Sequence, residues 1–192
     1  MKPKIIVIED EAILRMDLKE MLTDAGYDVI AEGDNGEKAI ELAYRLQPDL
    51  MIMDIKMPKM DGLKASRIIA KQNKTPILML TAFSQKEFVE DAKKANVLGY
   101  LVKPISEANL IPAVEIALSQ AQQRVQYEDE LLQKDKKMNA RKQIERAKGV
   151  LMKVKKLNEK AAYEKMRNFS MKQQVSLERT ANAILKKYAN DI

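Results

Sequence analysis

The stretch Asp49–Gly62, DLMIMDIKMPKMDG, decides how the first part of this chain is read. Leu50–Met53 is apolar at every position and stops at Asp54. A strand with one wet face would alternate, so an unbroken apolar run of strand length is buried on both faces. Outward from it the arrangement recurs: Ile5–Ile8 runs into Glu9, Asp10 and Glu11, Ile77–Leu80 into Thr81, and Tyr100–Val102 into Lys103 and Pro104. A weaker run is Val29–Ala31. Between these runs lie segments with 3.6-residue apolar spacing: Ala12–Ala25, Gly36–Leu46, Leu63–Lys71, Lys86–Ala95 and one starting near Ser106. Apolar strands alternating with amphipathic helices predict a parallel sheet covered on both faces, in a small doubly wound α/β domain.

In such sheets ligands bind beyond the carboxyl ends of the strands, so the residues that follow each run matter most. Here they are carboxylates (Glu9, Asp10, Glu11), another carboxylate (Asp54), a hydroxyl (Thr81) and an ammonium (Lys103). Any one of them alone reads as an ordinary surface residue of a strand-to-helix loop, where acids also cap helices. Together they are chemically complementary and converge on one edge. Clustered carboxylates repel unless a hard cation neutralises them, and an oxygen-only donor set suits Mg²⁺. Mg²⁺ beside a lysine is equipment for a phosphoryl group, which makes Asp54 a candidate nucleophile able to form an acyl phosphate.

Composition narrows the alternatives. The 192 residues include no Cys, no His and no Trp, which removes disulfides, thiol nucleophiles, zinc fingers and Ser-His-Asp triads. No G-x-x-x-x-G-K-[ST] loop is present, so there is no P-loop nucleotide site. Absence of cysteine suits a reducing cytosol, and no apolar run approaches the length of a membrane span, so the expectation is a soluble cytoplasmic protein with no membrane partner.

Charge divides the chain. Residues 1–119 hold 16 Lys and Arg against 19 Asp and Glu, a net of −3, whereas residues 136–192 hold 16 against 5, a net of +11. All six prolines lie at or before Pro112, and beyond it Gly149 alone interrupts a run of good helix formers. The second part is therefore expected to be helical and to face a polyanion.

The motifs IIVIEDE, DLMIMDIKMPKMDG, ILMLTA and GYLVKP, in that order, resemble the receiver domain of two-component response regulators. The resemblance implies a flavodoxin-like fold over residues 1–120, with a five-stranded parallel sheet in the order 2-1-3-4-5. It implies phosphorylation of Asp54 by a sensor histidine kinase, with Mg²⁺ held by Asp10, Asp54 and the backbone carbonyl of Lys56, and with Glu9 assisting through water. Thr81 and Lys103 would contact the phosphoryl oxygens, Tyr100 would be the switching aromatic, and Lys103-Pro104 falls where the family carries a cis peptide bond. Haloacid-dehalogenase-like phosphatases also place an Asp after a strand but need a second Asp two residues on. Lys56 occupies that position here, so Asp54 reads as a switch rather than a catalytic centre.

After the receiver, residues 121–137 fit a helical linker, and spacing of four and three from Val114 through Leu118, Ala121, Val125, Glu128, Leu132, Asp135 and Asn139, apolar at five of the eight and polar at the end, fits either a solvated connector or a dimer seam. Residues 138–192 divide into three expected helices. The first runs from about Asn139 to Lys156. The second, capped by Asn158, is expected to bury Ala162, Met166 and Phe169. The third is capped by Ser176 and carries Leu177, Thr180, Ile184 and Leu185.

ARKQIERAKGVLM (residues 140–152), AAYEKMRNFSM (161–171) and SLERTANAIL (176–185) resemble the ANTAR domain of transcription antitermination regulators. Ala147, Lys148 and Gly149 match its first-helix hallmark, Ala162, Met166 and Arg167 its second; Ser170-Met171 is most similar to ethanolamine-utilisation regulators. That family implies binding of paired hairpins in nascent mRNA leaders, so that a terminator cannot form; paired hairpins are most simply read by two copies of one domain, so a homodimer favoured by phosphorylation is expected. Lys148 and Arg167 stand at motif positions. Arg141, Lys142, Arg146, Tyr163 and Lys172 are candidate RNA contacts by charge and helix facing. Gly149, costly within a helix by about 1 kcal/mol relative to Ala, fits close approach of RNA or of a packed neighbouring helix. A DNA-binding output and a protein-binding adaptor tail are the other classes compatible with a basic helical tail.

Overall fold

The computed structural model describes residues 2–72, 75–82 and 97–188. The chain forms two compact units, Met1–Val125 and Gln126–Ile192.

The first unit contains β1 (Lys4–Ile8), α1 (Ala12–Asp24), β2 (Asp28–Gly33), α2 (Gly36–Leu46), β3 (Leu50–Asp54), α3 (Gly62–Gln72), β4 (Ile77–Thr81) and β5 (Val97–Val102). All strands are parallel, in the order β2-β1-β3-β4-β5. The expected fold is the observed one. The strand expected at Val29–Ala31 is longer at both ends, and the one at Tyr100–Val102 begins three residues earlier, at Val97. The segment Lys86–Ala95 lies outside the described residues.

The unbroken apolar strands are explained by two separate cores. On one face Ile6, Ile8, Met51, Met53, Ile77 and Met79 pack on Ala39, Leu42, Ala43, Ala65 and Ile69 of α2 and α3. On the other Ile5, Val7, Leu50, Ile52, Leu78 and Leu80 meet Leu18 and Leu22 of α1 and Leu110, Val114 and Ala117 of the helix after β5. Successive residues serve opposite cores because side chains alternate along a strand. Each large aliphatic buried in this way contributes about 1.5–3 kcal/mol, so the central strands are anchored from both sides.

That last helix, α4 (Glu107–Lys155), is continuous for 49 residues and crosses the division between the units. The separate helix expected from Asn139 is therefore the C-terminal part of α4. Residues 113–155 contain no proline, and their one glycine is too mild a breaker to end a helix. The second unit is completed by α5 (Glu159–Gln173) and α6 (Leu177–Lys187). Both expected caps form: Asn158 accepts from the Ala161 N–H at 2.8 Å, and the Ser176 hydroxyl from the Arg179 N–H at 3.2 Å. No described helix is long and apolar enough to cross a membrane.

The core of this unit is thin. Ala147 and Leu151 of α4 meet Ala162 and Met166 of α5 and Ala181 of α6. Phe169 was expected among them but is 51% exposed. One turn beyond Met166 it leaves the narrow stripe, because alanines bring the helices too close to admit a ring. Thr180 is buried, and its hydroxyl has no hydrogen-bond partner among the described residues. An unmet buried hydroxyl costs about 1–3 kcal/mol, and Val has nearly the same shape without the polar atom. Thr180→Val is therefore expected to raise the thermal unfolding midpoint of the full chain, read by calorimetry; an unchanged or lowered midpoint would show that the hydroxyl is satisfied.

Candidate functional site

β1 and β3 are adjacent and parallel, with Ile8 paired to Met53, so both deliver carboxylates to the same edge of the sheet. Glu9 follows β1 and is fully buried, Asp10 beside it is exposed, and Asp54 ends β3, 5% exposed. One carboxylate oxygen from each lies within 4.8 Å of the others. Lys103, just past β5, reaches back across the edge. Its Nζ lies 2.8 Å from Glu9 Oε2 and 3.0 Å from Asp54 Oδ2, with the side chain 20% exposed. Thr81, at the end of β4, is buried, and its carbonyl accepts from the Lys103 N–H at 2.8 Å, which seats β5 at the site. The Lys103-Pro104 peptide is cis, as expected.

The electrostatics follow from burial. Desolvation pushes the Glu9 carboxyl above its ordinary value of 4.5; Lys103 opposes this and the Asp54 charge adds to it. For Lys103, burial works against the ammonium, but hydrogen bonds to Glu9 and then Asp54 outweigh it, so its pKa is raised. Lys103 thus pairs with two of the three clustered carboxylates. The surplus negative charge and the oxygen-only donor set fit a hard divalent cation such as Mg²⁺, held by Glu9, Asp10 and Asp54. Asp54 itself is fixed at both oxygens, since Oδ1 accepts from the Ile55 N–H at 2.8 Å and Oδ2 pairs with Lys103. Lys56 lies on the loop leaving β3 with its side chain exposed, and Tyr100, on β5, is 57% exposed.

Two supports were not read from the sequence. A Cβ on Gly62 would lie 2.0 Å from the Asp54 carbonyl oxygen, while the Gly62 N–H donates to the Ile55 carbonyl at 2.8 Å. The α3 N-terminus is therefore pressed against the backbone of Asp54. The glycine ending MPKMDG was the available signal. Arg15 of α1 donates to the Glu9 carbonyl at 2.5 Å, holding the turn that carries Glu9 and Asp10; no local pattern marks it out.

In the second unit Arg141, Lys142, Arg146, Gly149, Tyr163, Arg167 and Lys172 are all exposed. Among the described residues, nothing beyond its chain neighbours and its own helix backbone lies within 4 Å of where a Gly149 Cβ would be, so no described neighbouring helix accounts for that glycine. Lys148 differs from the rest. Its Nζ is 2.6 Å from Glu145 Oε2 and 2.7 Å from Glu159 Oε1. The Ser170 hydroxyl donates to the Val175 carbonyl at 2.5 Å, closing the turn after α5.

Family models for the response regulator receiver domain and the ANTAR domain match residues 5–115 and 133–185. The transcriptional regulatory protein PdtaR of Mycobacterium tuberculosis (strain H37Rv) is 46% identical over 146 residues, covering 76% of this chain and 71% of that protein. The chemotaxis protein CheY of Thermotoga maritima is 36% identical over 115 residues, covering 59% of this chain and 96% of CheY. The receiver domain of a modulated diguanylate cyclase from Desulfovibrio desulfuricans G20 superposes with a TM-score of 0.59 at 30% identity, covering 65% of this chain and 99% of that one. The chain belongs to the two-component response regulators that join a receiver domain to an ANTAR domain. The output domain matched begins at residue 133, the compact unit at Gln126, and the boundary expected from sequence was 138.

Gly62→Ala, although a mild change elsewhere, is expected to displace Asp54. The methyl has only backbone to push against, so the variant should lose at least 2 kcal/mol of stability in denaturant titration. Stability within about 0.5 kcal/mol of the parent chain would show that α3 shifts freely.

Proposed function

We propose that this response regulator is a phosphorylation-controlled RNA-binding antiterminator. In this reading an Asp54 carboxylate oxygen attacks the phosphorus of a phosphohistidine on a sensor kinase. An O–P bond forms, the P–N bond breaks, and the histidine nitrogen keeps the electron pair. Asp54 is suited to this because its backbone is clamped by Gly62 and its oxygens by Ile55 and Lys103. Bound Mg²⁺, held by Glu9, Asp10, Asp54 and the Lys56 carbonyl, would supply charge neutralisation for the transferring group. Lys103 then exchanges its carboxylate partner for phosphoryl oxygens, with Thr81 donating a further hydrogen bond and Tyr100 changing position with Thr81.

The observation that carries the output half of the proposal is the outer face of α5, within the segment that matches the ANTAR domain. Tyr163, Arg167 and Met171 stand at spacings of four on one face of that helix, and all are exposed. An aromatic ring beside a guanidinium is a platform for unpaired bases of a hairpin loop. Arg141, Lys142, Arg146 and Lys172 supply cations for phosphates, and the open backbone at Gly149 admits close approach. The exposed Val125 and Leu132 of α4 support a seam with a second copy, favoured by phosphorylation, which would present two such faces to paired hairpins. The likeness to ethanolamine-utilisation regulators rests on Ser170-Met171, and the turn closed by Ser170 accounts for that serine without reference to a target, so no operon is assigned from it.

Two measurements test the reading. Acetyl phosphate, or BeF₃⁻ with Mg²⁺, is expected to modify the chain at Asp54 and to shift its sedimentation toward a dimer, and Asp54→Asn to abolish both. A mass shift that persists in Asp54→Asn would place the acceptor elsewhere. For the output, the full chain near physiological salt should prefer hairpin RNA to the same sequence as DNA. Arg167→Ala should weaken intact-loop binding by about 1–3 kcal/mol while sparing loop-mutated RNA. Equal binding to duplex DNA and hairpin RNA, regardless of loop, would support a DNA-binding output instead. Binding at low salt decides nothing, because the basic unit attracts any polyanion.

A further inference from the structure

Lys148 occupies the centre of the first-helix motif, yet its surroundings are unlike those of the other candidate contacts. Its side chain is 12% exposed, whereas its partners Glu145 and Glu159 are 57% and 70% exposed. Two of the three ammonium donors are directed at carboxylates, and the trio Lys148, Glu145 and Glu159 carries one positive charge against two negative. Such a group repels phosphate. Donation to Glu145, and then to Glu159, raises the Lys148 pKa, and Lys148 in turn lowers that of Glu159.

Position explains what the trio does. Glu145 and Lys148 lie on α4, and Glu159 is the first residue of α5, immediately after the Asn158 cap. The two helices share a small core to which they contribute only Ala147, Leu151, Ala162 and Met166 as buried hydrophobic members. Small side chains interlock weakly and leave rotation of α5 about its own axis poorly determined. An ion pair across the junction, one side chain ahead of the core contact, supplies the missing constraint.

We propose that Lys148 is a positioning residue: by pairing with Glu159 it sets the rotation of α5 on α4, and so the direction in which Tyr163 and Arg167 face, without touching the nucleic acid. This rests on the RNA-binding reading above, and the two fail differently.

The test uses the full chain and a hairpin RNA selected on it from a library with a randomised loop, with a loop-scrambled hairpin as comparison. Lys148→Met, Glu159→Gln and the double variant are measured by affinity for each RNA and by the salt dependence of binding. If Lys148 positions α5, Glu159→Gln lowers the intact-to-scrambled ratio by about two- to five-fold, within what an exposed ion pair commands. Lys148→Met does the same, the double variant is no worse than either, and the salt slope stays put. If Lys148 contacts RNA, removing the Glu159 charge frees it: Glu159→Gln binds tighter, and Lys148→Met flattens the salt slope by about one unit, which overturns the proposal. Partial unfolding lowers both affinities together and leaves their ratio unchanged, so an unchanged ratio also overturns it. Failure to enrich any loop overturns the RNA-binding reading instead.

Discussion

Glu9 and Asp54 are brought together by neighbouring parallel strands and buried at the sheet edge, where their charges repel, and the organisation of the first unit answers that repulsion. Lys103 is the internal answer, bridging both carboxylates from the far side of the sheet. Its reach depends on β5 lying beside β4, which the Lys103 N–H to Thr81 carbonyl bond secures. Burial, and to a lesser degree the Asp54 charge, hold the Glu9 carboxyl above its ordinary value although Lys103 opposes both. Glu9, Asp10 and Asp54 together form an oxygen-only group that could hold a divalent cation. Exposed acids at the same positions would be screened by water and would transmit little.

Placement of the cluster depends on the double core. Because alternate residues of β1, β3 and β4 face opposite cores, no strand can slip by one residue without exchanging two complete sets of side chains. Asp54 is thus fixed along the sheet by Met51, Ile52 and Met53, and fixed against α3 by the lack of a side chain at Gly62. Position along the strand comes from apolar packing, and position across it from a backbone contact.

This separation explains what could be read in advance. Unbroken apolar runs ending in acid, hydroxyl and ammonium were legible because burial on both faces writes itself into every residue of a strand, and parallel topology then aligns the ends. The contacts of Gly62 and Arg15 join segments distant in the fold, and no local pattern encodes the distance between them. The helical part was legible at its caps, Asn158 and Ser176, where a side chain bonds its own backbone three residues on. It was misread at Phe169 and at the start of the helix near Asn139. Helical periodicity tells which residues share a face, but the width of the buried stripe depends on the partner helix, and alanines on that partner narrow it. A helix likewise shows no boundary where neither cap nor proline interrupts it, which is the case throughout the second half of α4.

The two units also solve unlike problems. In the first, large aliphatics fill two cores and leave a polar edge with charges held at fixed distances. In the second, small residues keep the core thin, so most side chains of α5 and α6 remain at the surface and the fold contributes area more than rigidity. A thin bundle can recognise a ligand only if its helices are oriented by something other than packing. Here that role falls to polar contacts at the two junctions: Lys148 with Glu159 where α4 gives way to α5, and the Ser170 hydroxyl with the Val175 carbonyl where α5 gives way to α6. Hydrogen bonds and ion pairs are directional whereas apolar contacts are not. Residues of the same motif therefore divide between those that face outward, such as Arg167, and those that hold the outward face in place.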